Sequence, residues 1–494
     1  MKRTRIATAA LVTRGTGHDV HVLVVRRAPQ LRFFGGFWAF PGGVVDAADH
    51  DGDPDVDDAH RRCALRELLE ETGLVAPELA EAAPLRSALL DRDDAPAARA
   101  FREIVDRNPA ALERVEPFAR LTTPPFAPVL YRTRFTHVVA PEGFEPEIVE
   151  GELVDGAFFA PADLLESWRR GERLVAPPVV FLLEQLAERG LERFLDEIPA
   201  VSARLEAGAL HPIRVVPGIT MAPLETATLP PATTTNAFLV GVDRTWIVDP
   251  APTDEGEQQR LFDLVDERRQ DGADPVGVLL THHHPDHVGA AEATARRYDV
   301  PVLAHPETFS RLDLDVENHR ALEDGTVLPL GTTPDGAPGW TLTALHTPGH
   351  APGHLAFRES RYGAVLGGDL VSTVSTIVID PPDGHLATYL SSLRALRERM
   401  ADGGVLHPSH GTVATDGARI LDQYLTHRAE RERALSDALA GGAAREEDLL
   451  RAVYDDVDER LLPVAARSLR AGLEKLGEEG RAIEREPGRW DLAR

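Results

Sequence analysis

Two stretches of the chain concentrate side chains able to do chemistry. In Arg66-Glu67-Leu68-Leu69-Glu70-Glu71-Thr72-Gly73-Leu74, the residues Glu67, Glu70 and Glu71 stand at i, i+3 and i+4, which brings three carboxylates onto one helical face. Such a cluster repels itself unless a cation joins it. Mg²⁺ or Mn²⁺, ions that prefer oxygen ligands, would neutralise it and could bridge to a substrate diphosphate. Arg66 lies four residues before Glu70 and can orient it, and Gly73 suits the end of the helix. An acidic helix face is often merely solvated. Here, however, the loop Phe40-Pro41-Gly42-Gly43 comes first, followed by Asp46 and Asp49, and feeds acidic groups toward the same helix.

The second stretch is Thr281-His282-His283-His284-Pro285-Asp286-His287, directly after the apolar run Val278-Leu279-Leu280. Imidazole and carboxylate at this density at a strand end suit zinc or another transition metal, and strand alternation would aim His282 and His284 to one side. His350 in Thr347-Pro348-Gly349-His350, Asp369 in Gly367-Gly368-Asp369 and His410 in Pro408-Ser409-His410-Gly411 would complete a second coordination set. A lone histidine is more often structural than a ligand, but four separated features in this order argue against coincidence. His283, His305, His346, His354 and His407 read as satisfied structural histidines, with a role in orienting ligands as the alternative.

Elements must deliver these groups. At 494 residues the chain exceeds one core, so two or three packed units are expected, and 43% hydrophobic with 27% charged residues is a globular composition. Short β-like runs (20–26, 129–138) alternate with helical patterns (60–72, 178–189) in the first part, as in a mixed α/β domain. Residues 210–235, rich in Pro and Thr, read as an extended connection rather than regular elements. Beyond it, the apolar runs 237–240, 246–248, 278–280 and 364–366 each end at Gly, Asp, Thr or His, as buried strands with polar tips would. From His427 onward three helical patterns precede two strand-like runs around Pro487-Gly488, which suggests a winged-helix-like tail. The predicted division is 1–208, 209–425 and 426–494.

The net charge of −27 opposes non-specific binding to nucleic acid or anionic membrane and favours cations at acidic sites. Positive charge comes almost wholly from arginine, lysine being confined to Lys2 and Lys475. The single cysteine, Cys63, excludes an intrachain disulfide and a cysteine-based zinc knuckle, which fits a reducing compartment. With no signal-peptide pattern and no apolar run of bilayer length, the expectation is a cytoplasmic protein without a membrane partner.

The first site resembles the Nudix hydrolase signature, a Gly, five residues, Glu, seven residues, then Arg-Glu-hydrophobe-any-Glu-Glu-any-Gly-hydrophobe. Its second half matches fully at Arg66 to Leu74. The first half has two registers: Gly43 with Asp49, followed by a nine-residue insertion, or Gly52 with Asp58 at unbroken spacing but with the Phe-Pro-Gly-Gly loop stranded. The first is preferred because that loop normally opens the signature. Arg27, Arg32, Gly36 and Phe40 to Gly43 are spaced like the accessory motif of Nudix enzymes that cleave coenzyme A and its acyl esters. That resemblance implies substrate contacts at Arg27, Arg32, Gly42 and Gly43, where the arginines could hold phosphates bidentately or else pair with nearby acids.

The second site resembles the metallo-β-lactamase superfamily from about residue 212 to 425, including Asp249 in Val248-Asp249-Pro250. The resemblance implies that His282, His284 and His350 hold one ion, Asp286, His287 and His410 another, and that Asp369 bridges two Zn²⁺ or other transition-metal ions. It also implies catalytic roles for Asp286 in this site and for Glu67, Glu70 and Glu71 in the first. The expected architecture is α/β multidomain: a Nudix α/β/α fold, an αββα metallo-β-lactamase sandwich and a small winged-helix-like domain. The tail is similar to that of the endoribonuclease branch, while residues 347–354 resemble both that branch and glyoxalase II. Yet 13 Lys and Arg against 16 Asp and Glu in residues 427–494, a net of −3, is not a basic footprint. Two functions therefore stand. One is a bifunctional hydrolase of a small-molecule diphosphate and of an ester or thioester. In the other, a C-terminal single-strand endoribonuclease acts on RNA beside a Nudix module that binds ligand.

Overall fold

The computed structural model describes residues 4–31, 34–91, 95–124, 126–127, 129–401, 403–442 and 444–493. The chain forms two compact units, residues 1–217 and 218–494. Among the described residues no helix is long and apolar enough to cross a membrane.

The first unit is built on a seven-stranded mixed sheet. Its centre is the strand Thr4–Arg14, parallel to Leu130–Val139 and antiparallel to Gly42–Val44 and His21–Arg27. Alternation along the central strand sends Ala10 and Val12 into a core shared with Ala64, Leu65, Leu68 and Leu69 of the helix Asp57–Thr72. That helix carries the acidic signature. Its apolar side is fully buried, and it ends where Gly73, at φ 74°, donates its N–H back to the Leu68 and Leu69 carbonyls. Elsewhere in the unit Phe118 stacks edge-on against Phe194 of the helix Leu191–Glu206. Cys63 is buried in the core.

The second unit contains a six-stranded and a five-stranded sheet. The ligand-bearing turns follow the C-terminal ends of Asp274–Leu279, Pro338–His346, Val365–Gly368 and Leu406–Pro408, strands whose apolar residues are almost all buried. One expectation is corrected: the Pro- and Thr-rich stretch contains a regular strand, Ile219–Glu225, paired along its whole length with Thr234–Val240. It lies at the sheet edge, where the missing N–H of Pro223 breaks no ladder, and so the proline did not forbid it.

The tail consists of the helices Gly417–Ala440, Glu446–Val453 and Leu462–Glu478 with a small sheet of Ala444–Arg445, Ala482–Glu486 and Arg489–Leu492. The helix Gly417–Ala440 runs unbroken through the expected join at 425/426. Ala418, Leu421 and Tyr424 at its start lie in the core of the hydrolase body, while Leu435 and Leu439 lie in the core of the tail. Leu469, Leu473 and Leu476 pack in the tail core, as their helical spacing required.

Since Leu68 is completely buried under the sheet, Leu68→Ala is expected to destabilise the first unit by about 2–5 kcal/mol through lost burial and a residual cavity. Urea unfolding followed by a probe in that unit checks this, and a cost below about 1 kcal/mol would place the helix wrongly.

Candidate functional site

In the first unit the carboxylates meet an arginine. Arg66 is buried, donates to Glu67 and Glu70 at 2.9 Å each, and holds both oxygens of Asp49 at 3.2 and 2.8 Å. Asp49 thus serves as partner to Arg66 and stands outside the Glu67, Glu70 and Glu71 face. Asp58 instead pairs with Arg61 on the exposed side. This arrangement favours the register Gly43, Asp49, Arg66 over the unbroken one, with residues 50–56 as a loop leading into the helix Asp57–Thr72. The glycines seat the acids. Gly42 donates its N–H to Glu71 at 2.8 Å, and a Cβ on Gly43 would fall 2.2 Å from Glu67 Oε1, so the loop can lie against the helix only without a side chain. Arg27 is close enough for its charge to act on Glu71, and Arg32 lies outside the described residues. Glu67, Glu70 and Glu71 share a face, but they are not drawn into a trio with ligand atoms within 4.8 Å of one another.

Burial, then repulsion from Glu67, pushes Glu70 up to about 7; the same two causes raise Glu71 well above the usual carboxylate range. The donors fit a hard divalent cation, because oxygen-only ligands that resist ionisation together are what such an ion relieves.

In the second unit the histidines and aspartates converge. His284, in extended conformation, lies five residues beyond the strand Asp274–Leu279, and Pro285 starts a short helix that turns Asp286 and His287 back toward the site. His282 Nε2 and His350 Nε2 each approach His284 Nδ1 at 2.9 Å. His410 Nε2 lies 3.6 Å from Asp286, with His287 Nε2 at 4.0 Å. Asp369 stands between these sets. Its Oδ2 faces His350 at 3.5 Å, and its Oδ1 faces His410 at 3.4 Å and His287 at 3.7 Å. His287 Nε2 and Asp369 Oδ1 are buried without a hydrogen-bond partner. The 3.4–3.7 Å separations around Asp369 and His410 are long for hydrogen bonds and close to the roughly 3.3–3.6 Å between ligand atoms held at about 2.1 Å around a tetrahedral ion, whereas the 2.9 Å contacts of His284 with His282 and His350 are of hydrogen-bond length. Among the described residues four groups of potential ligands lie here: His282, His284 and His350; His282, His287 and Asp369; Asp286, His287 and His410; and, beside them, His283, His284 and Asp383. The residues fit two ions.

A second layer fixes the rings of His287, His350 and His410. Asp249, at φ 47°, accepts from Thr281 N, Thr281 Oγ1 and His287 Nδ1 at 2.7–2.8 Å, committing His287 Nε2 to the site. His350 Nδ1 donates to Val378 O at 2.9 Å and His410 Nδ1 to Thr234 O at 3.0 Å. Histidine 354, read from sequence as structural, accepts the Asp369 N–H at 2.9 Å on Nε2 while Nδ1 meets Thr347 Oγ1. A Cβ on Gly368, at φ 54°, would strike that ring. Asp383 is a further residue that sequence reading missed: it pairs with His283 at 3.0 Å and Arg311 at 3.3 Å, and no motif signalled it. His305 and His346 stack on each other, and His407 packs edge-on against Phe238. Burial and neighbouring imidazoles hold His284 at about 3. Burial opposes protonation of His287, but Asp369 and Asp286 outweigh it and raise the group; Asp369 itself is depressed by His410 and His287 against its burial.

Fold and site define the class, and comparison with known proteins agrees. Residues 3–177 match the NUDIX domain, residues 230–410 the Metallo-beta-lactamase superfamily and residues 446–490 the Beta-lactamase associated winged helix domain. The chain is a fusion of these three, a metal-dependent hydrolase whose domains imply divalent ions. The chain is similar to beta-lactamase-like protein 2 homolog of Drosophila melanogaster, 26% identical over 50% of this chain and 83% of the relative. It is also similar to an atrochrysone carboxyl ACP thioesterase of Pseudocercospora fijiensis, 28% identical over 42% of this chain and 56% of the relative. A beta-lactamase domain protein from Burkholderia ambifaria shares the fold at a TM-score of 0.50, with 21% identity over 58% of this chain and 94% of that one.

The acidic face yields a pH dependence. A carboxyl whose folded pKa is raised contributes its stability in full below its unfolded value of 4.5 and loses it as pH rises through about 7. In chelator, the melting midpoint of the first unit is therefore expected to fall between those pH values. Glu70→Gln should flatten the slope, and Mg²⁺ should raise the midpoint more at neutral than at acid pH. Calorimetry checks this, and an unaltered slope in Glu70→Gln contradicts it.

Proposed function

We propose that the two units carry separate metal-dependent hydrolytic centres. The first cleaves a diphosphate linkage, that of coenzyme A, acyl-coenzyme A or a similar nucleoside diphosphate derivative, with Glu67, Glu70 and Glu71 holding Mg²⁺ or Mn²⁺. Arg27 and Arg32 would bind the anionic substrate beside the Gly42-Gly43 loop. The second hydrolyses an ester or thioester, with His282, His284 and His350 holding one Zn²⁺ or other transition-metal ion, Asp286, His287 and His410 the other, and Asp369 shared. The observation that carries this reading is Asp369, whose two oxygens address the two ligand sets separately.

Two ions held there would supply Lewis-acid polarisation of the scissile carbonyl and a water activated near neutral pH. The chain does the rest by placement. Asp249 and the Val378 and Thr234 carbonyls hold three imidazoles by Nδ1, so each Nε2 lone pair points inward. His354 fixes the backbone of Asp369. Asp286, kept ionised by His287 and His410 against its burial, is the carboxylate suited to hold or pass a proton at the reacting centre. A thioester substrate is supported by the similarity to the Pseudocercospora fijiensis protein named as a thioesterase, and it would make acyl-coenzyme A a substrate common to both units.

With purified protein, Glu70→Gln is expected to lower coenzyme A diphosphate cleavage at least about 100-fold while thioester hydrolysis persists, and Asp286→Ala to do the reverse. Parallel loss of both activities in either variant would sink the two-centre reading. Single-stranded RNA cleavage that vanishes in Asp286→Ala, with thioesters untouched, would replace the ester assignment.

A further inference from the structure

Residues 377–385 connect the metal-site architecture to the tail. Ile377 and Ile379 are buried in one apolar cluster with Leu421, Tyr424 and Ala471, the last of these from the tail helix Leu462–Glu478. Between them, the Val378 carbonyl accepts the His350 Nδ1 proton at 2.9 Å. Each backbone group flanking that carbonyl is held from the tail. The Arg428 guanidinium donates to Ile377 O and lies over the Tyr389 ring, and Ser468 Oγ accepts the Ile379 N–H at 3.4 Å. Outside these, Arg467 pairs with Asp380 and Glu478 with His385, both at 3.0 Å.

We propose that the winged-helix tail is a positioning element of the metal centre: Arg428 and Ser468, by fixing the peptide groups on either side of Val378, hold the carbonyl that aims His350 Nε2 at its ion. The physical reason is geometric. An imidazole ring has one free rotation that matters for ligation, and its Nδ1 partner sets it; outer partners of this kind are worth about 10–100-fold in metal affinity. The segment that follows Val378 is tied farther along, by Gly384 N to Asp380 O, by His385 N to Gly349 O and by Asp383 to His283 and Arg311, whereas the contacts to Ile377 O and Ile379 N, next to the Val378 carbonyl, come from the two helices packed behind it. This account explains why a tail of net charge −3 is joined to the hydrolase body by one continuous helix.

The proposal rests on the reading of His350 as a ligand, and the test separates the two. The full-length metal-free protein is titrated with Co²⁺, whose visible absorption is intense for imidazole-rich tetrahedral sites and weak for the oxygen-only site of the first unit. His350→Ala is the reference: if it binds both histidine-site ions as the unaltered protein does, the ligand reading itself is wrong. Arg428→Met combined with Ser468→Ala is expected to weaken the same ion that His350→Ala loses by about 10–100-fold, with the second ion unchanged. Arg428→Lys, which keeps an N–H donor, should restore it. Ser468→Ala alone removes one acceptor and leaves the packing, so it covers the case in which the double variant does not fold; about 2- to 10-fold weakening is expected, the worth of one hydrogen bond. If His350→Ala loses an ion while the tail variants bind both at unaltered affinity, the tail does not position the site.

Discussion

The constraint behind both centres is electrostatic: groups that repel, or that present lone pairs to one another, are held close together and out of water. Glu67, Glu70 and Glu71 form one such set, and His282, His284 and His350 another. Neither arrangement is favourable alone, because burial removes the solvent that would screen it. Each unit therefore supplies a provisional cation. In the first it is Arg66, bound to two of the glutamates and to Asp49. In the second, Asp369 favours the protonated forms of His287 and His410 and is itself held ionised by them. Divalent ions entering the second centre would displace those protons, so metal binding and protonation compete there.

Holding such groups in place requires rigid support, which the first unit draws from the helix Asp57–Thr72 and the second from turns that follow its strands. The second unit goes further, with an outer layer in which the Nδ1 atoms of His287, His350 and His410 each have a fixed acceptor. Asp249 shows what this costs: a non-glycine residue in the left-handed region carries about 1–3 kcal/mol of strain, offset here by three short hydrogen bonds. The outer layer also extends beyond the hydrolase sheets. Through residues 377–385 it reaches the tail helices, which gives a small acidic appendage a structural connection to ligand geometry.

The first unit handles the same difficulty with less apparatus. Its helix presents the acids by local spacing alone, and the Gly42-Gly43 loop closes over them because nothing projects from Gly43. The inserted segment after Asp49 is anchored through Asp55, which receives His60, Arg120 and Arg132. A signature interrupted in the chain is in this way kept continuous in space.

Much was legible in the residues. Helical spacing alone put Glu67, Glu70 and Glu71 on one face, and polar groups after apolar runs pointed to His282, His284, Asp286, His287, His350, Asp369 and His410 as candidates, because both patterns are local and need no distant partner. Spacing could not choose between Asp49 and Asp58, since both stand six residues after a glycine; only the fold, by bringing Asp49 across to Arg66, decided it. The same holds for His354 behind Asp369, for Asp383 beside His283 and for the Val378 carbonyl behind His350. Each is a contact between segments far apart along the chain, and a main-chain carbonyl leaves no trace in residue type. The edge strand Ile219–Glu225 escaped for a related reason: whether Pro223 breaks a strand depends on which side of it another strand lies, and that is settled only when the sheet has formed.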